Sequence, residues 1–367
     1  MKYCKKCLTP ETRPRVNFNE NGVCNACEWA EKKKNEINWK ERWSRLENIC
    51  DEYRDNNGDN WDVIVPCSGG KDGSYVAWKL KHELGMHPLT VTFKPQAQTE
   101  LGRENLNNFI NSGFDHIMIT PNPKVYNKLA IKGFKEQGRP KMPFVMGIST
   151  AIIRLANHFD IPFIMYGEDG EVEYGGAKTQ YKTEIDRDYL VKYYYSGHDP
   201  KEFLSEFNKH ELKWWLLPSE EEIENNNLFA THWSNFENWD PKKHAELAKD
   251  KCGLQTLGDS SIGTFTDYAQ LDDKLQDLHA YLMFVKFGFG RATSDVNIEI
   301  RADRMTRDKG LEYIKKYDGD FPEEYLDFYL DYFNLSEKEF WDIVDSHANK
   351  DVLKNENGKW ILKEEPK

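Results

Sequence analysis

The sequence predicts an α/β fold: a doubly wound parallel sheet with an N-terminal Cys4 zinc segment and a mostly helical C-terminal region. Three observations support this prediction. Short apolar runs alternate with amphipathic helical patterns over 61–176, two Cys-x2-Cys pairs lie near the N-terminus, and the rest of the chain is aromatic with helical spacing. Strands that alternate with helices favour parallel pairing through right-handed crossovers.

The pattern of the middle region locates individual elements. Strands are predicted where short apolar runs precede turns, at 62–66, 88–93, 116–120 and 162–166. Helices are predicted where apolar residues recur at helical spacing, at 31–57, 75–84, 100–111 and 144–159. Ligands of parallel sheets bind at the carboxyl ends of strands, so the turns at 67–74 and 167–176 are the candidate binding sites.

Composition narrows the class of protein. The chain has 367 residues, of which 13% are aromatic, and this aromatic content argues against disorder. The 50 basic and 62 acidic residues give a net charge of −12, which argues against nucleic acid as a main partner. We find no apolar run of roughly 18 residues and no secretory signal, so we expect a cytoplasmic protein without a membrane span.

Two Cys-x2-Cys pairs, Cys4 with Cys7 and Cys24 with Cys27, have the spacing of a tetrahedral zinc site. Four thiolates fill every coordination position, so the metal has no place for water or substrate. We therefore predict structural Zn²⁺ that stabilises a segment too short to build its own core. An iron–sulfur cluster is the alternative, although cluster cysteines are usually spaced differently.

A glycine-rich turn follows the first predicted strand and opens a helix. It consists of Ser68, Gly69, Gly70, Lys71, Asp72, Gly73 and Ser74. Glycines let the backbone approach anionic oxygens, the helix N-terminus adds partial positive charge, and Ser68, Lys71 and Ser74 add donors. A carboxylate beside phosphates, here Asp72, is expected to cap the helix or to meet a divalent cation. A flexible turn capped by Ser and Asp is the alternative without a ligand.

The string SGGKD after a first strand resembles the PP-loop ATP pyrophosphatase superfamily, in which SGGxDS is usual, whereas Gly73 precedes Ser74 here. SGGKDGSY, the paired CxxC motifs and the segment GTFTDYAQLDDKLQDLHAYLMFVKFGFGRATSD together resemble the N-acetyl sugar amidotransferase family. That family belongs to surface-polysaccharide and pseudaminic acid biosynthesis. The resemblance extends over essentially the whole chain.

This resemblance implies a reaction and a set of site residues. An acetamido oxygen would attack the α-phosphate of ATP, pyrophosphate would leave, and ammonia would displace AMP to give an acetamidine. Lys71 and Asp72 would be the catalytic residues, with Asp72 also a ligand of Mg²⁺. The strand end at Phe93 would lie against adenine, and Gly167, Glu168 and Asp169 would form a second nucleotide-binding turn. An ordinary acidic loop is the alternative for that turn.

The residue pattern predicts a division of the chain, and the resemblance implies two partners. The predicted regions are a zinc segment with a linker helix at 1–57, a PP-loop core at 58–190 and a substrate-binding region at 191–367. A glutaminase nucleophile is not evident among the cysteines, and Cys67 directly precedes the glycine-rich turn. Ammonia would therefore come from a separate glutaminase through an ammonia-channelling barrel subunit, as in imidazole glycerol phosphate synthase.

Substrate candidates lie in the third region, where cations stand out in an acidic chain and fit a sugar acid that is free or nucleotide-linked. They are Lys286, Arg291, Asp295, Arg301 and His232. The alternative is that the cations pair with neighbouring carboxylates, and that the aromatic residues around His232 belong to the core.

Two other functions remain open on sequence grounds. A PP-loop tRNA thiolase would want a basic surface and cysteines near the second nucleotide turn, yet no Cys occurs between Ala77 and Lys251. A non-catalytic ATP-binding scaffold would have no use for a carboxylate beside phosphates. We therefore expect an ATP-dependent, AMP-forming sugar amidotransferase of O-antigen, lipopolysaccharide or flagellin-glycan biosynthesis.

Overall fold

The computed structural model describes residues 1–56, 58–176, 187–219, 221–222 and 227–366. A five-stranded parallel sheet with the order β3-β2-β1-β4-β5 lies at its centre. The strands are β1 Val63–Pro66, β2 Pro88–Phe93, β3 Asp115–Ile119, β4 Phe163–Tyr166 and β5 Phe229–His232. The order reverses at β1, so the predicted doubly wound α/β class is confirmed.

Helices flank this sheet and form most of the C-terminal region. The helices that precede β4 are α1 Asn25–Asn35, α2 Trp39–Asn56, α3 Lys71–His82, α4 Glu100–Asn111, α5 Pro123–Gln137 and α6 Met142–Phe159. Two short helices follow β4, α7 Gly170–Glu173 and α8 Arg187–Tyr189, the latter continuing as a π-helical turn to Tyr194. The later ones are α9 Pro241–Cys252, α10 Lys274–Phe287, α11 Arg291–Arg301, α12 Arg307–Tyr317, α13 Leu326–Phe333 and α14 Glu337–Ser346. A hairpin of β6 Leu353–Glu356 and β7 Lys359–Leu362 lies close to the end of the described chain.

The sheet is buried on both faces, which explains why its strands are continuously apolar in sequence. Ile64 faces a core formed with α6, whereas Val63 and Val65 face a second core formed with α3. Successive side chains of a strand point to opposite faces, so β1 serves both cores. This arrangement fixes β1 at the centre and directs its carboxyl end into the glycine-rich turn.

The fifth strand lies beyond the predicted core boundary at residue 190. β5 pairs in parallel with β4, from Phe163 opposite Phe229 to Tyr166 opposite His232. Four residues with aromatic and polar neighbours gave too short a pattern to predict a strand, so the region from 191 was predicted as mostly helical. The sheet therefore draws on both the predicted core and the predicted substrate region.

None of the helices in the described ranges combines the length and apolar character needed to cross a bilayer. This agrees with the sequence, in which we find no apolar run long enough to span the hydrocarbon layer.

Candidate active site

The glycine-rich turn between β1 and α3 is shaped by close backbone packing. Gly69 has φ +80°, and a Cβ there would lie 2.5 Å from the backbone of Leu106. A Cβ on Gly73 would lie 2.7 Å from the carbonyl oxygen of Pro66. A Cβ on Gly70, by contrast, would meet nothing closer than 3.4 Å. Gly69 and Gly73 are thus required by the fold, while Gly70 leaves room for close approach of a ligand.

Gly70 is also the N-cap of α3, and its helix has no side-chain cap. The first N–H groups of a helix have no partners within the helix and carry the positive end of its dipole. The turn therefore offers an anion both open backbone and uncapped donors at the carboxyl edge of the sheet.

A cleft of about 380 Å³ opens over this turn. Residues 268–272 and Gln276 cover it from the C-terminal region, and Lys141 and Phe144 line it from α6 and the residue before it. Four charged groups that the sequence singled out lie in this one cleft: Lys71, Asp72, Glu168 and Arg291. The cleft is therefore built jointly by the sheet and by the C-terminal region.

Asp72 accepts three side-chain hydrogen bonds. Its Oδ1 accepts hydrogen bonds from His244 Nδ1 at 2.7 Å and from Trp239 Nε1 at 3.1 Å, and its Oδ2 accepts from Lys71. Burial opposes its charge, but Lys71 and His244 outweigh burial and hold the pKa of Asp72 well below its usual range. Asp72 is consequently an ionised acceptor in the cleft.

Glu168 and Lys71 respond to the same field. Burial, and then the nearby charge of Asp72, raise the pKa of Glu168 to about 7. Burial lowers the pKa of Lys71, but Asp72 and Glu168 oppose this effect and the net pKa is raised. Two interacting carboxylates in one cleft are a donor set that suits Mg²⁺ when phosphate oxygens complete its coordination.

Arg291 enters the cleft from the first turn of α11. Its Nη2 lies 2.9 Å from Asp295 Oδ1, and Nε donates to Asp295 Oδ2 at 3.1 Å. Thr264 Oγ1 also donates to Asp295 at 2.6 Å. Asp295 thus fixes the guanidinium, in agreement with the carboxylate pairing that the sequence left as an alternative, while Arg291 still lines the cleft.

Four substrate candidates do not line the cleft: Asp295, which holds Arg291, and Lys286, Arg301 and His232. Lys286 Nζ donates to the carbonyls of Gln137 and Gly138 at 3.0 and 3.3 Å, so it caps the end of α5. Arg301 donates to the Glu173 carbonyl at 3.2 Å, beside the N-terminal cysteines. His232 is buried at the end of β5, with Nε2 3.1 Å from the Tyr194 hydroxyl oxygen. The side chains of Lys286, Arg301 and His232 each donate to, or lie against, a backbone or core group outside the cleft.

Three predicted nucleotide-binding residues also differ from expectation in their surroundings. The Phe93 ring is 1% exposed and packs between Tyr126 and Trp215 in the core, so its side chain is not offered to a ligand. Asp169 caps α7 by accepting from Glu171 N at 3.0 Å and also accepts from the Tyr189 hydroxyl. Ser74 is fully buried and is not among the residues that line the cleft.

Some contacts of the site had no signal in the sequence. His244 and Trp239 reach Asp72 across more than 160 residues of chain, and nothing local in the sequence indicates that either side chain binds this carboxylate. Lys141, which lines the cleft, forms an ion pair with Asp273 at 3.1 Å, and both side chains are buried. Only the topology brings these residues to the turn.

The four N-terminal cysteines form a compact, fully buried cluster. All four sulfur atoms lie within 4.8 Å of one another. Cys4 Sγ lies 3.9 Å from Cys27 Sγ, and Cys7 Sγ lies 3.7 Å from Cys24 Sγ. Four sulfurs placed tetrahedrally at about 2.3 Å from one ion are about 3.8 Å apart. The residues therefore fit the predicted metal, and no substrate-binding position is open there.

This cysteine segment contacts two elements that neighbour the cleft, α11 and the α7 region. Leu8 N donates to Asn297 Oδ1 at 2.8 Å on α11, the helix of Arg291. Asn25 Nδ2 donates to the Gly176 carbonyl at 2.6 Å, and Trp29 Nε1 donates to Glu173 Oε1 at 3.0 Å on α7, the helix that follows Glu168. The N-terminal segment is thus positioned to order the two elements next to Arg291 and Glu168.

A buried carboxyl in the segment that covers the cleft makes stability depend on pH. Asp277 accepts from Gln270 Nε2 at 2.9 Å, and burial, then Asp273, raise the pKa of Asp277 from 3.8 to about 8. Between pH 4 and pH 8 the folded state keeps a proton on Asp277 that the unfolded state releases. The contribution of Asp277 to the free energy of unfolding is therefore full below pH 4 and is lost as the pH rises toward 8. The loss is about 3–4 kcal/mol between pH 4 and pH 7.

We expect Asp277→Asn to retain the Gln270 hydrogen bond and to remove this pH dependence. In urea denaturation the variant should match the unmodified protein near pH 4 and exceed its free energy of unfolding at pH 8. The exposed Asp342→Asn serves as a control and should leave the pH profile unchanged. Identical profiles for Asp277→Asn and the unmodified protein would contradict the assignment.

Fold and site together define an α/β protein with a charged, glycine-floored cleft and a separate four-cysteine centre. Residues 262–367 match the family model of the LPS biosynthesis protein WbpG-like, C-terminal domain. This is the region that contributes the cleft cover and Arg291. The comparison with curated proteins finds no match.

Solved structures resemble the chain only distantly. NMN synthetase from Francisella tularensis is 12% identical, with 73% of this chain and 94% of that chain covered and a TM-score of 0.33. NH3-dependent NAD synthetase from Campylobacter jejuni is 14% identical, with 59% and 94% covered and a TM-score of 0.30. U34-tRNA thiolase NcsA from Methanococcus maripaludis, with its [4Fe-4S] cluster, is 11% identical, with 83% and 87% covered and a TM-score of 0.31. The assignment of the fold therefore rests on the sheet order itself.

Proposed function

We propose that this protein is an ATP-dependent amidotransferase that converts the acetamido group of a sugar acid to an acetamidino group. ATP would be cleaved to AMP and pyrophosphate, and ammonia would supply the new nitrogen. The match of residues 262–367 to an LPS biosynthesis domain supports a role in surface-glycan synthesis. The protein would work in the cytoplasm, where ATP is available.

One observation carries the proposal: the glycine-rich turn, Lys71, Asp72, Glu168 and Arg291 line a single cleft. A site that only binds nucleotide needs the turn and a cation. Two partly buried carboxylates are unfavourable beside phosphates unless a divalent cation accompanies them. Their presence supports catalysis at the phosphates over simple binding, and hence an enzyme over a scaffold.

The chemistry assigns a role to each group. The acetamido oxygen attacks the α-phosphorus and pyrophosphate leaves, after which ammonia adds to the activated carbon and AMP departs with the former amide oxygen. Lys71 and the α3 N-terminus are placed to stabilise negative charge on the phosphates. Asp72 and Glu168 are the residues that would hold Mg²⁺, whose charge offsets that of the phosphates.

The substrate would enter against the C-terminal cover of the cleft. Arg291, held in orientation by Asp295, presents its guanidinium to the cleft and suits the carboxylate or diphosphate of an acidic sugar. Ammonia would come from a separate glutaminase subunit through a channelling barrel. Both thiols beside the glycine-rich turn are buried, and burial raises the pKa of Cys67 to about 12 and of Cys252 to about 11, which weighs against either as a glutaminase nucleophile.

The same thiols weigh against a tRNA thiolase. Cys67 and Cys252 are buried, at 2% and 1% exposure, and the other cysteine outside the N-terminal cluster, Cys50, is also buried. Sulfur transfer needs an accessible thiolate. The net charge of −12 adds an electrostatic cost to tRNA binding.

The test is a mass-spectrometric screen of acetamido sugar acids with ATP, Mg²⁺ and ammonium. Replacement of oxygen by NH lowers the product mass by about one unit, so we expect one sugar to shift by this amount while AMP accumulates in equal quantity. ATP turnover or thionucleoside formation with tRNA, and no product from any sugar, would instead support the thiolase and overturn the proposal. A matched reaction without ATP should leave every sugar unchanged.

A further inference from the structure

The two oxygens of Asp72 have different surroundings. Oδ1 accepts from His244 Nδ1 at 2.7 Å and from Trp239 Nε1 at 3.1 Å. Oδ2 accepts from Lys71 and from no other group in the described part of the chain. Asp72 is therefore fixed through one oxygen by residues outside the glycine-rich turn, while the other oxygen meets a group that itself lines the cleft.

The donor on the fixed side is itself rigid. His244 lies in the first turn of α9, which begins at Pro241 and is capped by Asp240, and its side chain is 2% exposed. Its ring stacks on Tyr75 of α3, with the centroids 3.8 Å apart and the planes 14° from parallel. An ionised carboxylate can only accept hydrogen bonds, so His244 Nδ1 must carry the hydrogen. Packing thus holds one N–H directed at Asp72 Oδ1.

The hydrogen bonds to Oδ1 limit the pairing of Asp72 with its neighbour Lys71. The two residues are consecutive, and an adjacent ammonium and carboxylate pair with each other unless other groups hold one of them in place. If Asp72 were free to rotate, both of its oxygens would follow Lys71. Because His244 and Trp239 hold Oδ1, Lys71 can move to a phosphate while Oδ2 stays in place.

We propose that His244 is a positioning residue, which with Trp239 orients Asp72 so that Oδ2 binds the divalent cation of a bound nucleotide. The inference rests on the proposed function, because it assigns Asp72 its cation. A purely structural role, in which His244 only fills space between α9 and α3, predicts that loss of the Nδ1 donor affects folding and not cation affinity.

The experiment measures Mn²⁺ binding by electron paramagnetic resonance in the presence of the non-cleavable analogue α,β-methylene-ATP. His244→Leu keeps apolar volume and removes the donor. We expect it to weaken Mn²⁺ binding about tenfold or more, as is typical when the hydrogen-bond partner of a metal ligand is lost. Binding of the analogue without a metal should change less than threefold. His244→Asn restores an N–H near the Nδ1 position and should recover most of the Mn²⁺ affinity.

Controls separate orientation from packing. Tyr75→Phe keeps the stacked ring and removes only the hydroxyl that donates to Glu237, so its Mn²⁺ affinity should equal that of the unmodified protein. Trp239→Phe removes the second donor and should also weaken Mn²⁺ binding. It provides the test if His244→Leu does not fold. Unchanged Mn²⁺ affinity in these donor-loss variants, with normal binding by the unmodified protein, overturns the inference alone. An unmodified protein that binds neither the analogue nor Mn²⁺ overturns the proposed function as well.

Discussion

Replacement of Lys71 by alanine is expected to lower the rate of AMP formation about 10²–10³-fold, the usual cost of removing one group that stabilises transition-state charge. Lys71 lines the cleft at the uncapped start of α3, and Asp72 and Glu168 raise its pKa against the effect of burial, so it stays charged. Removing it takes away the cation at the start of α3 and leaves the backbone donors of the turn in place. The measurement is the steady-state release of AMP and pyrophosphate with saturating ammonium and the sugar found in the screen.

A second variant makes this prediction specific to the cleft. Asp72→Asn removes a negative charge and keeps the side-chain shape, so it should also reduce AMP release while the metal content of the cysteine cluster stays unchanged. Lys338→Ala, at an exposed lysine of α14, should retain full activity. If Lys71→Ala and Asp72→Asn both form acetamidine at the normal rate, the catalytic assignment of the turn is wrong.

The sequence predicted those features whose signals are local. The first four strands appear within about one residue of their predicted bounds, because buried parallel strands are short apolar runs that end in turns. The glycine-rich turn and the cysteine pairs were recognisable for a similar reason, since their chemistry needs closely spaced residues. Arg291, chosen as a cation in an acidic chain, does line the cleft.

Features that depend on distant contacts were beyond this reasoning. Lys286 and Arg301 resemble Arg291 in their sequence context, but each donates to a backbone carbonyl. A hydrogen bond to the backbone gives no signal in the residue pattern. His244 gave no signal because its partner lies 172 residues away. β5 was missed because its partner strand, not its own four residues, defines it.

The other large effect is expected at the cysteine cluster. Removal of the metal that we expect there, or Cys7→Ser, should lower the free energy of unfolding by about 4 kcal/mol or more, since loss of a structural metal is among the largest single-site effects. The segment that would be released includes Leu8, which packs with Val296 and Ile300 of α11 in a core shared with the cysteines. The measurement is thermal or urea denaturation together with metal analysis, for which we expect one zinc per chain.

Hydrogen exchange can show whether this loss reaches the cleft. Because Asn25 and Trp29 bond to the α7 region and Leu8 bonds to α11, metal removal should speed exchange in 170–176 and 291–301. The β6–β7 hairpin belongs to a different core and should keep its protection. Faster exchange confined to residues 1–35 would mean that the segment is stapled to the protein without ordering the cleft. Iron in place of zinc, with visible absorbance, would contradict the choice of metal. Faster exchange in both 170–176 and 291–301 would mean that the cysteine centre, although closed to substrate, helps to fix the positions of Glu168 and Arg291 in the cleft.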